Sequence, residues 1–224
     1  GVDNISTFRK MFTWEGPGER SITLMTAGNL ATTQAVISLL NERTKPAEDR
    51  GNPSILEAAS MFQVAKLVGE TLREVIKTQS GQDGPEAEAT FSATIILGGQ
   101  IKGAPPRLFL IYPEGNFIEA SDDTPFFQIG ETKYGRPILV RAFDPEMSFE
   151  DAVKLLMVSF DSTIKANLSV NLPLDLHVYT ADSLKHGTMT RIEKDDPYFN
   201  VISMGWGDAL KHAFNSLPPY SFTT

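Results

Sequence analysis

The sequence predicts an α+β fold, with antiparallel sheets in the middle and helices outside. Three observations carry this. Apolar runs between Phe91 and Gly130 follow one another across short turns, which reads as an antiparallel meander. Helical periodicity comes as a pair and then singly around these runs, not strand by strand as a βαβ pattern requires. The chain has 224 residues and 41% hydrophobic content, enough for one domain with a sizeable core or at most two small ones. A single domain over residues 1–224 is the expectation.

The elements follow in order. In FRKMF, Phe8, Lys10 and Phe12 are two apart, so an extended strand points all three the same way and Met11 the other. Two readings of Lys10 stay open: a lysine guarding a sheet edge, or one held at a pocket for chemistry. SITLMTA, from Ser21 to Ala27, reads as a strand with Ile22, Leu24 and Thr26 on one face. Gly28-Asn29 breaks it, and Asn29 suits the N-cap of a helix carrying Val36, Leu39 and Leu40. Residues 44–52 are a polar loop. Ser54 with Glu57 matches a capping box, predicting a long helix from there to about Thr78. SGQDGPEAEA reads as a surface linker. Strands are predicted at 91–101, 107–113, 116–121 and 124–130. Ser148 with Asp151 caps a helix whose stripe is Phe149, Ala152, Val153, Leu156, Phe160 and Ile164. Strands at 174–180 and 188–193 and a closing helix over 198–217 complete the chain.

Composition narrows the function. A net charge of −8 disfavours nucleic acid as a main ligand. With no cysteine there is neither a disulfide framework nor a thiolate metal site, which fits a reducing compartment. No apolar run has the length of a membrane span, and Gly1 opens no secretory signal pattern. No G-x-S-x-G, H-E-x-x-H or C-x-x-C is present. Gly98-Gly99 and Gly205-Trp206-Gly207 do not lead from strand to helix, so neither is a phosphate loop. His177, His186 and His212 are scattered, and His177 in its predicted strand reads as a packed histidine.

Lys10, the TAGNLA turn and the element order together resemble the proteasome β-subunit superfamily, the N-terminal-nucleophile hydrolases. FRKMF, LMTAGNLATTQ, FSATIILGGQI, GETKYGRPIL and SFEDAVKLLMVSFDSTIKANLSVNLPLDLHVYT cover nearly the whole chain. GGQI, GETKYGRPIL and NLSVNLP point within it to the bacterial ancestral β-subunit (Anbu) branch. The resemblance implies a four-layer αββα sandwich. It implies that Lys10 is the active-site lysine and that the backbone N–H of Gly28 builds the oxyanion hole. Phe8, Phe12, Thr26 and Leu30 then surround the pocket for the side chain before the cleaved bond. Glu131 or Thr132 stands where the family usually has a serine near the nucleophile's amine. Asn167 stands in place of the family's aspartate, and Ser169 one residue from the family serine.

The family's nucleophile is an N-terminal Thr, sometimes Ser, well upstream of the lysine. Only nine residues precede Lys10, and Thr7 is internal with no free amine. The first strand, the nucleophile and the lysine's acidic partner are therefore expected before Gly1. The implied activity is a threonine-type peptidase: acyl transfer to the Thr hydroxyl, then hydrolysis by water, with Lys10 easing proton removal. No cofactor and no metal are implied. The implied partners are copies of the chain, in a ring or open helical ring, and a peptide substrate; an ATPase partner stays open. Neither nucleic acid nor membrane is expected, and the location is cytoplasmic. Two alternatives share the fold: a catalytically silent self-assembling scaffold, and an amidohydrolase for small amides. Val64, Val68 and Val75 as a second apolar face, with Tyr220 and Phe222, are expected to meet a neighbouring copy.

Overall fold

In β2 (Arg20–Gly28), Ile22, Leu24 and Thr26 are buried on one face, while Thr23, Met25 and Ala27 are less so. That alternation is the period of a strand with a core on one side. The computed structural model, which describes residues 8–81 and 84–222, pairs β2 with β1 (Met11–Gly16) and β3 (Ala93–Ile101). β4 (Arg107–Ile111) and β5 (Phe117–Glu119) complete an antiparallel sheet in the order β1-β2-β3-β4-β5. The register aligns Phe12 with Leu24 and Leu97, and Leu97 with Phe109. These side chains therefore share one face.

Helices α1 (Leu30–Glu42) and α2 (Met61–Ser80) cover that face. Val36, Leu40, Val64, Val68, Leu72 and Ile76 join Ile22, Leu24, Ile95, Leu97 and Phe109 in one core. Val64, Val68 and Val75 are thus core residues, 0 to 5% exposed, and not the second apolar face expected of them. α1 begins where predicted, with the Asn29 side chain accepting from the Thr32 N–H.

α2 starts later than the Ser54 capping box suggests. Its N-cap is Ser60, which accepts from the Gln63 N–H at 3.2 Å. The physical reason lies in Arg20. Its Nη1 donates to the carbonyls of Ile55 (3.2 Å) and Ala58 (2.8 Å), so this segment's acceptors are spent on a buried guanidinium. The linker expected after α2 contains a short helix, α3 (Pro85–Thr90), with Pro85 at its first turn. The strand expected over 124–130 is absent; a single bridge joins Ser121 and Thr124. Pro125 has no N–H to give a ladder there.

The chain divides into two compact units, residues 1–130 with 175–190, and residues 131–174 with 191–224. A second sheet, β6 (Leu174–Val178) with β7 (Thr188–Ile192), makes the sheets two, both antiparallel. Most of it belongs to the first unit, where His177 reaches Thr23 on β2. The second unit holds α4 (Arg136–Ala142), α5 (Phe149–Ala166) and α6 (Pro197–Ser216), with α5 packed on both others. Ser148 caps α5 as predicted. Lys165 Nζ donates to Asp161 Oδ2 (3.0 Å) and to the Ser203 carbonyl (3.3 Å), tying α5 to α6. The stripe predicted for α5 is only partly inside: Phe149, Leu156 and Phe160 are exposed, whereas Met157, Val158 and Thr163 are buried.

Candidate functional site

Lys10 lies one residue before β1, and its side chain is exposed. The ladder nevertheless extends to it, because its carbonyl accepts the Thr26 N–H at 2.8 Å. Along a strand, successive N–H groups alternate sides. The Thr26 N–H points toward β1 and the Asn29 N–H toward β3, where it donates to the Ser92 carbonyl at 2.9 Å. The Gly28 N–H, two residues after Thr26, therefore points to the side of β1 and Lys10. It does so at the N-terminus of α1, where unpaired N–H groups favour negative charge.

Glycine is required at this corner. Gly28 has φ of 110°, and an added Cβ would lie 2.5 Å from the Ser92 carbonyl oxygen and 2.8 Å from Ala93 Cα. Thr26 is buried, Leu30 is partly buried at the first turn of α1, and Phe12 packs against the core. Phe8 is 47% exposed. Lys10, Thr26, Gly28 and Leu30 thus gather at one end of β2, with Phe12 anchoring the strand beside them. Thr7 lies outside the described residues. Among the described residues β1 is the edge of its sheet, so the edge-guard reading of Lys10 keeps its geometric basis.

Glu131, Asn167 and Ser169 belong to the second unit and form one network. Asn167 Nδ2 donates to Glu131 Oε2 at 2.9 Å. Asn167 Oδ1 accepts from the Ser169 N–H (2.9 Å) and hydroxyl (2.7 Å). A carboxylate only accepts and a backbone N–H only donates, so these bonds fix the orientation of the amide. The other Glu131 oxygen accepts the Lys133 N–H at 2.8 Å. That backbone bond, with help from the Asn167 amide and the nearby Lys133 charge, holds the Glu131 carboxyl below its ordinary range. Both Glu131 oxygens and the Ser169 hydroxyl keep lone pairs, so the network can accept hydrogen bonds from an ammonium. The part played by the Lys133 backbone had no sequence signal beyond the turn after Gly130.

Among the described residues, no group of three His, Asp or Glu could hold a metal ion. No described helix is long and apolar enough to cross a membrane. Surface depressions lie beside Arg43 and Arg50 and beside Arg73 and Glu88; none of the candidate residues lines them.

No protein-family model matches the chain, and no curated protein matches it. Solved structures do. Anbu, the ancestral β-subunit, from Yersinia bercovieri is 46% identical, with 99% of this chain and 91% of that one covered and a TM-score of 0.89. The chain belongs to the Anbu family. Anbu from Hyphomicrobium sp. strain MC1 matches at 46% identity, 99% and 91% coverage and a TM-score of 0.89. Anbu from Pseudomonas aeruginosa, described as the helical assembly of the Anbu complex, matches at 46% identity, 99% and 89% coverage and a TM-score of 0.90. The fold class is accordingly the αββα sandwich of the N-terminal-nucleophile hydrolases.

Proposed function

We propose that the chain is a self-assembling subunit of a homo-oligomeric Anbu complex, a ring or an open helix of one proteasome-like domain. One observation carries this reading: every residue from Asp208 to Phe222 is exposed, although α6 continues to Ser216. The last nine helical residues, from Asp208 to Ser216, thus lack cover among the described residues. Leu210, Phe214, Leu217, Tyr220 and Phe222 are 50 to 87% exposed, and the Tyr220 and Phe222 rings meet edge to face. A neighbouring copy would cover them, and the helical assembly of the Pseudomonas aeruginosa relative supports that choice of neighbour. Sedimentation velocity at micromolar concentration in physiological salt tests it. A multi-subunit species is expected, and a purely monomeric profile would overturn the reading.

A second reading, a threonine-type peptidase acting on peptides, rests on a different observation. The Gly28 N–H and Lys10 share one side of the β2 terminus, as an oxyanion donor and a positioned ammonium would. An N-terminal Thr would supply the nucleophile, with its own α-amine taking part in proton transfer. Proteolysis and a cytoplasmic location belong to this reading and rest on the resemblance alone. An amidohydrolase for small amides would use the same groups and is separated by substrate profiling. The test is labelling of the N-terminal Thr by a reactive peptide electrophile in the native protein and in Lys10→Ala. Labelling should slow by about two orders of magnitude in the variant. Equal rates would return Lys10 to guarding the sheet edge, and no labelling in either protein would leave the scaffold reading alone.

A further inference from the structure

His177 is partly buried on β6 and bridges the two sheets of the first unit. Its Nδ1 lies 3.0 Å from Thr23 Oγ1 on β2, and its Nε2 accepts the Gly187 N–H at 3.2 Å. A ring nitrogen that accepts a hydrogen bond carries no proton. The neutral ring therefore keeps its proton on Nδ1 and donates it to the threonine. Gly187 is pressed onto β6 at this point, since an added Cβ would lie 1.8 Å from the Val178 carbonyl oxygen.

The segment between His177 and Gly187 is held by contacts and not by its own conformation. Asp182 and Leu184 have φ of 63° and 46°, the left-handed region that non-glycine residues adopt at a cost. Gln100, buried on β3, accepts from the Tyr179 hydroxyl and the Asp182 N–H, each at 2.7 Å, and donates to Asp182 Oδ1 at 2.7 Å. The Leu184 carbonyl accepts from the Gly18 N–H at 3.1 Å. His186 meets Glu15 Oε2 on β1 through its N–H (3.1 Å) and its Nε2 (3.0 Å).

We propose that His177 is a proton-operated latch on residues 179–187: neutral, it holds the segment at Gly187; protonated, it lets go there. Protonation puts a hydrogen on Nε2, so two N–H donors face each other across 3.2 Å. The Thr23 contact survives, because Nδ1 stays a donor in both states. Among the described residues, the hydrogen bonds at the two His177 ring nitrogens are to Thr23 and Gly187. Thr23 has Thr13 and Gly98 as its cross-strand neighbours, neither ionisable. Glu15, from β1, is engaged by His186. Asp182 is bonded to Gln100, and Asp175 is the acid on β6 itself.

Burial first, and the neighbouring His186 second, push the His177 pKa below the ordinary histidine value. The latch is therefore closed at neutral pH and opens on acidification below about 6.5.

The test is ¹⁵N NMR of the histidine rings with amide hydrogen exchange, on the full chain from pH 7.5 to 5. At pH 7.5 the His177 ring should show a bare Nε2. Protection of the Gly187 amide, corrected for intrinsic exchange, should fall about tenfold or more across the His177 titration. In His177→Gln this step should vanish. In His186→Gln it should remain and move to higher pH, because a positive neighbour is gone. A protonated Nε2 at pH 7.5, unchanged Gly187 protection through the titration, or a step that persists in His177→Gln would each overturn the latch. If His177→Gln fails to fold, the wild type and His186→Gln decide the matter.

Discussion

Asn167 donates to a carboxylate with one end of its amide and accepts from a serine with the other. An Asn167→Asp change would keep the Ser169 bonds and lose the donor facing Glu131 Oε2. Two carboxylates would then meet at hydrogen-bonding distance. In the wild type, Glu131's lowered pKa contributes stability above the ordinary carboxylate value of about 4.5, and that contribution is lost as pH falls through the lower folded value. In Asn167→Asp the sign reverses, because a like charge raises the pair's affinity for a proton. The variant should melt below wild type at pH 7, and the gap should narrow as pH falls through the carboxylate range. Melting temperatures of both proteins from pH 7 to 4 check this; a constant gap would mean the pair does not interact. The group around Lys10 was legible in sequence, because Lys10, Thr26, Gly28 and Leu30 are near neighbours along one hairpin and its helix. Glu131 and Asn167 are 36 residues apart. Their positions could be matched to a motif, but the bond between them exists only once the 131–133 turn is formed.

Helix α2 shows at the scale of an element what a local pattern can and cannot decide. Ser54 with Glu57 and Ser60 with Gln63 both satisfy the capping pattern. The choice is made from outside, by Arg20 drawing on the Ile55 and Ala58 carbonyls. Removing the cap by Ser60→Ala should cost about 1 kcal/mol of stability. Ser60→Asp should be tolerated, since a carboxylate can cap and suits the helix N-terminus. Ser54 is 3% exposed, so Ser54→Asp would bury a charge and cost more than about 2 kcal/mol. Denaturant midpoints of the three variants test the assignment, and equal tolerance of Asp at both serines would count against it. The paired strands and long helices were readable because burial on one face imposes a period. The strand expected over 124–130 had apolar residues without alternation, and Pro125 within it. The short helices α3 and α4 carry signals other than apolar periodicity: Pro85 and Pro137 in their first turns, where a missing N–H costs nothing.

At the scale of the whole molecule, apolar surface is unevenly distributed. The first unit packs one large core and leaves Phe8, Met25, Phe62, Ile118 and Met189 exposed, while α5 and α6 leave Phe149, Leu156, Phe160, Val201, Met204 and Phe214 exposed. On α6 these side chains do not form one stripe. Tyr198, Val201 and Met204 occupy one arc, and Leu210, Phe214 and Leu217 roughly the opposite one, at 100° per residue. A helix apolar on opposite sides along its length is covered by more than one surface. Repeated addition of copies supplies such surfaces, and a twofold pair alone does not demand them. The two arcs can be tested apart. Val201→Asp and Phe214→Asp each place a charge on one arc, and neither position is buried within the chain, so the isolated subunit should keep its stability within about 0.5 kcal/mol. If each arc has its own neighbour, each variant should weaken assembly about tenfold or more and stop at a small species of limited size, and the double variant should be monomeric. Mass photometry across a dilution series reads this directly. Assemblies of wild-type size and affinity in Phe214→Asp would show that the exposed end of α6 is not a contact between subunits.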